Sequence, residues 1–61
     1  MKFARAATFA RDTPTVTLRA AWGLNDADVI RRQKGEHPMT GREVGELAFL
    51  HGMRLEDILA V

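Results

Sequence analysis

Three cations, Arg31, Arg32 and Lys34, fall within four positions, and Gly35 and Pro38 follow them closely. Arginine forks onto phosphate, carboxylate or guanine through two parallel N–H donors, while lysine acts as a mobile point charge. Such a cluster suits a polyanion. The same cations also offset the negative end of a helix dipole, so a solvated helix end is the plain alternative. The loop Gly35–His37 would bring backbone N–H groups to the surface, where they and His37 suit a phosphate clamp. Catalysis has nothing comparable. There is no nucleophile beside a base and no glycine-rich phosphate loop, and the expectation is that the chain is not an enzyme.

The elements that must position these cations belong to a small object. Sixty-one residues give one domain, residues 1–61, and one modest core. No cysteine is present, which excludes a disulfide framework, and two histidines fall short of a four-ligand zinc site. Neither a metal nor another cofactor is expected. Helix packing, with a second copy as support, is left to provide stability. No apolar run is long enough to span a membrane, and Arg5 and Arg11 interrupt any signal-peptide core, so a cytoplasmic protein is expected.

A net charge of +1 hides an asymmetry. Residues 1–24 carry four cations against one anion, residues 25–35 three against two, and residues 36–61 two against five. A basic face with an acidic remainder is the natural consequence.

Apolar spacing follows the helical period throughout, with no strand alternation. The first helix is expected over 2–11, with Phe3, Ala6, Ala7 and Ala10 on one face and Phe9 flanking them. Thr13 precedes a proline and is pushed out of the helical region; it is placed to cap a second helix, over 15–22, that has Pro14 at its start. Leu18, Ala21 and Trp22 would be buried there. Gly23 supplies a tight turn. Asn25 caps a third helix, over 26–34, with Asp26 and Asp28 in its first turn and the cations in its last. Thr40 and Glu43 form a capping box for a fourth helix from residue 41, whose stripe is Val44, Leu47, Ala48 and His51. Gly52 ends it, and a short fifth helix over 55–60 buries Leu55, Ile58 and Leu59.

Residues 29–59, "VIRRQKGEHPMTGREVGELAFLHGMRLEDIL", resemble the second half of the Cro/repressor-type helix-turn-helix family. Three features carry the likeness: a polar-basic helix end closing on Gly35, a loop with Pro38, and a helix ending in "LAFLHGM". "LEDIL" at 55–59 is similar to the family's final helix. Upstream, "WGLNDADV" at 22–29 is similar to the family's turn, with Gly23 in it and Val29 as the buried residue of the recognition helix. Four positions depart from the pattern, among them His51 in place of a frequent leucine and Phe49 in place of a usually polar, exposed residue. Arg19 stands where a small residue is usual, unless a one-residue shift places Ala20 and Ile30 in the core. Arg32 stands where the family tends to be apolar, with a stem that can pack while its head reaches water.

The resemblance implies an all-α, compact five-helix bundle, a lambda-repressor-like DNA-binding domain. It further implies a dimeric regulator of transcription that reads a double-stranded operator with its third helix in the major groove. In that frame Asn25 suits adenine, Ala27 a thymine methyl, and Asp26 or Asp28 cytosine N4, although capping alone explains the aspartates. Arg31, Arg32 and Lys34 would hold phosphate or guanine, and His37 lies in the adjoining loop. Thr15 and Thr17 would touch phosphate from the start of the second helix. Lys2, Arg5 and Arg11 would extend the basic face. No small-molecule ligand is implied.

Phe49 points away from the expected core stripe. With Ile58 and Val61 it would form the seam of a homodimer, which suits a twofold operator. The competing expectation is a helix-turn-helix scaffold given over to protein binding, as in an antitoxin-like or phage inhibitory protein. Asp26, Asp28 and Phe49 favour it.

Overall fold

A computed structural model describes residues 4–59 as five helices and no strand. They are α1 (Ala4–Asp12), α2 (Thr15–Trp22), α3 (Asp26–Gln33), α4 (Gly41–Leu50) and α5 (Leu55–Leu59). The all-α, five-helix expectation is met, with ends shifted by no more than about two residues, the usual uncertainty of helix termini. Lys2, Phe3 and Val61, and the expected start of α1 at residue 2, lie outside the described residues.

The ends follow from local chemistry. Asn25 Oδ1 accepts the Asp28 N–H at 2.9 Å, satisfying a first-turn donor of α3. Thr40 Oγ1 accepts the Glu43 N–H at 3.2 Å while Glu43 Oε1 accepts the Thr40 N–H at 3.0 Å, so the capping box closes in both directions. Gly23 leaves α2 at φ 69°, a left-handed conformation only glycine adopts without strain. Thr13 departs from expectation. Pro14 holds the cap position of α2 with no side-chain bond, and the Thr13 hydroxyl instead donates to the Phe9 carbonyl at 2.7 Å. The proline pins the entry to α2, which releases Thr13 to close α1.

All five helices contribute to one core built around Trp22, Leu18, Leu47, Ile58, Val29 and Val44. The alanines Ala6, Ala7 and Ala10 let α1 approach α3, α4 and α5 closely. Met39, from the loop, joins this core without any periodic signal to announce it. Trp22 donates its indole N–H to the Glu43 carbonyl at 3.0 Å, so the largest core side chain is also satisfied. The helix register keeps Val29 inside and leaves Ala20 and Ile30 at the surface, which removes the shifted alternative. Leu55, expected inside, is exposed because Ile58 takes the inward position of so short a helix. His51 ends α4 as its cap and is exposed rather than part of the buried stripe. Its ring lies 4.8 Å from Phe9, and Nε2 sits 2.8 Å from Thr13 Oγ1. The Thr13 proton goes to Phe9, so Nε2–H is the donor in that pair.

Candidate nucleic-acid interface

α2 and α3 are joined by Gly23, Leu24 and Asn25. Val29 anchors α3 to the core, and two polar ties set its roll. Gln33 Nε2 donates to the carbonyls of Ala10 at 3.0 Å and Thr13 at 2.9 Å, while its Oε1 accepts the Thr15 hydroxyl at 3.2 Å. One side chain therefore fastens the last turn of α3 to the junction of α1 and α2. Arg32 supplies the second tie: Nε donates to Glu43 Oε1 at 2.8 Å and a guanidinium nitrogen to the Asp28 carbonyl at 3.0 Å. The Arg32 and Glu43 side chains are only 11% and 6% exposed.

This corrects the role expected of Arg32. Its head is turned largely inward, where it neutralises a buried carboxylate that also caps α4. Withdrawing it would strand that charge, at a cost of about 3–5 kcal/mol. Thr15 is corrected in the same sense, since its hydroxyl proton is held by Gln33, while Thr17 is exposed. The expected phosphate clamp at Gly35–His37 also fails on donors. Gly35 N–H goes to the Arg32 carbonyl, and both Glu36 and His37 N–H groups go to the Arg31 carbonyl. His37 Nδ1 lies 2.8 Å from the Pro38 carbonyl and must carry the proton, since a carbonyl only accepts.

The outward face of α3 carries Ala27, Ile30, Arg31 and Lys34 at the spacing i, i+3, i+4 and i+7. All four lie at the surface, Ile30 at 38% exposure. Ile30 was missing from the residues expected to act. The signal was present, because fixing Val29 inward turns its neighbour outward by one helical step.

Asp26 and Asp28 flank this stripe and are already engaged. Arg19 on α2 meets Asp26 at 3.1 Å, and Arg31 meets Asp28 at 2.7 Å, all with substantial solvent exposure. Arg19 therefore needs no burial: its head lies over the start of α3. The Asn25 oxygen is likewise occupied by its cap. Lys34 has no ion-pair partner among the described residues. Arg5 points elsewhere, donating to the Asp57 carbonyl of α5, and Arg11 stays local, donating to Thr8 Oγ1 at 3.4 Å. Neither shares a bond with the α3 cations.

Phe49 is 81% exposed, as its spacing predicts, but Ile58 is fully buried and cannot line a seam without unfolding α5. No helix among the described residues is long and apolar enough to cross a membrane, and no cluster of three or more metal-ligating residues occurs among them. No family model matches the chain, and neither a curated protein nor a solved structure is similar to it at a meaningful level.

Proposed function

We propose that this chain is a double-stranded DNA-binding regulator of transcription of the Cro/repressor type, acting in a bacterial or phage-infected cell. It binds without catalysis, cofactor or small-molecule ligand. α3 enters the major groove, and α2 lies across the backbone with its N-terminus toward phosphate. The observation that carries this reading is the surface stripe Ala27, Ile30, Arg31 and Lys34 on a helix whose opposite side is locked by Val29, Arg32 and Gln33. A major groove about 12 Å wide accepts one helix, and such a stripe offers methyl contacts to thymine beside cations for guanine or phosphate. Its rigidity matters equally, since base readout needs donors held in place before contact. A pair of protomers on a palindrome would present two such helices about 34 Å apart.

A second reading has its own observation. Asp26 and Asp28 neutralise Arg19 and Arg31 on the very surface that should meet DNA, which suits a protein partner better than a polyanion. One experiment separates the two. Fluorescence anisotropy against a randomised duplex pool, with enriched sequences retested across salt, should yield a palindrome whose log affinity falls linearly with log salt. Absence of enrichment at low salt, by folded protein, would turn the assignment to protein binding.

A further inference from the structure

We infer that Ile30 reads the C5-methyl group of a pyrimidine in the major groove. The operator position it contacts is then chosen by that methyl: thymine and 5-methylcytosine are accepted there, uracil and cytosine are not. This selectivity rests on the DNA reading proposed above and names the residue of α3 that sets it.

Ile30 has no task inside the protomer. It leaves 38% of its surface in water and is not among the partly buried apolar side chains that pack against the core. Val29 takes the inward place on α3, and Gln33 and Arg32 tie the helix to α1 and α4, which holds Ile30 outward. Single apolar residues are common on surfaces, so exposure alone decides nothing. The charges around Ile30 decide more. Arg19 lies over the start of α3 beside Asp26, while Arg31 and Lys34 stand toward its end, and Lys34 has no ion-pair partner among the described residues. Ala27 and Ile30 lie between these cations, both at the surface. A face that is cationic at its ends and apolar between them fits a ligand with anionic rims and methyl groups between. The major groove has that order, with phosphates along both edges and pyrimidine methyls on its floor.

The side chains at this place sense a methyl and little else. Neither Ile30 nor Ala27 carries a donor or an acceptor, so neither tells the O4 acceptor of thymine from the N4 donor of cytosine. Both tell a methylated pyrimidine from a bare one, because the methyl buries apolar area against them. Isoleucine suits this task. Its β-branch holds χ1 to one preferred rotamer in a helix, so little side-chain freedom is lost on contact. The groups able to read the O4 or N4 edge lie earlier on α3, and each is engaged. Asn25 Oδ1 accepts the Asp28 N–H, Asp26 pairs with Arg19, and Asp28 pairs with Arg31. The base beneath Ile30 is therefore read through its methyl.

The test takes the operator enriched from the randomised pool and replaces each thymine in turn by uracil, which removes only the methyl. Anisotropy should find a position in each half-site where uracil weakens binding about fourfold, the worth of one buried methyl. That loss should be the same at every salt concentration, because no phosphate contact is changed. With a C·G pair at the same position, cytosine should bind at least about fourfold more weakly than 5-methylcytosine. Ile30→Ala should keep its thermal midpoint, since alanine is the better helix former and Ile30 lies outside the core, yet bind the thymine and uracil duplexes alike. An operator indifferent to uracil at every thymine overturns the inference. So does 5-methylcytosine that binds no better than cytosine, or an Ile30→Ala variant that keeps the preference for thymine over uracil. Each of these leaves the DNA reading standing. A pool that yields no enriched duplex removes that reading and this inference together.

Discussion

Arg32 of α3 and Glu43 of α4 form a nearly buried ion pair, with Nε 2.8 Å from Oε1. The same carboxylate oxygen accepts the Thr40 N–H, and the Glu43 carbonyl accepts the Trp22 indole. One residue thus closes the capping box of α4, balances the charge of α3 and satisfies the main core aromatic of α2. In so small a domain this junction governs both stability and the placement of α3.

Removing one partner should be severe. Glu43→Ala leaves Arg32 charged and unpaired as well as opening the cap, for a loss of about 3–5 kcal/mol. A 61-residue domain holds only about 3–9 kcal/mol in all, so the variant should be largely unfolded at 37 °C. Replacing both partners by apolar residues, Arg32→Met with Glu43→Leu, should recover most of that loss. Urea denaturation followed by circular dichroism measures each, and equal losses in the single and double variants would deny the pairing its role.

Gln33 should matter for orientation more than for folding. Gln33→Ala leaves the Ala10 and Thr13 carbonyls and the Thr15 hydroxyl without that partner, a cost of about 1–3 kcal/mol where water cannot replace it. The domain should remain folded at low temperature while affinity for an enriched operator falls. Melting curves and anisotropy on the same sample check both halves.

On the surface stripe of α3 the two cations should behave alike. Arg31→Ala and Lys34→Ala should each weaken DNA binding and lower the salt slope by about one, with stability nearly unchanged. Asp28→Asn should act in the opposite direction, releasing Arg31 from its 2.7 Å pair and tightening binding to any duplex up to about fivefold. Anisotropy titrations at several salt concentrations test all three. An Asp28→Asn variant that binds more weakly on one sequence alone would instead make Asp28 a reader of bases.

Gly23 offers a purely conformational test. At φ 69° a side chain is strained although nothing lies within 4 Å of its Cβ position. Gly23→Ala should cost about 1–2 kcal/mol, seen as a lower thermal midpoint, and Gly23→Asn should cost less because asparagine tolerates that region.

Local interactions were legible in the chain because they act over a few residues. Asn25 and Asp28, or Thr40 and Glu43, meet wherever a helix begins, and Gly23 must turn whatever surrounds it. The spacing of Val44, Leu47 and Ala48 likewise names an inward face. Contacts between distant residues were not legible. Arg32 and Glu43 are eleven positions apart, Gln33 and Ala10 twenty-three, and Thr13 and His51 thirty-eight. Nothing local distinguishes an arginine that stays at the surface beside Asp28 from one destined for a buried carboxylate, because both sit in the last turn of the same helix. Only the packing of α3 against α4, which excludes water from one side of that turn and not the other, separates Arg32 from Arg31.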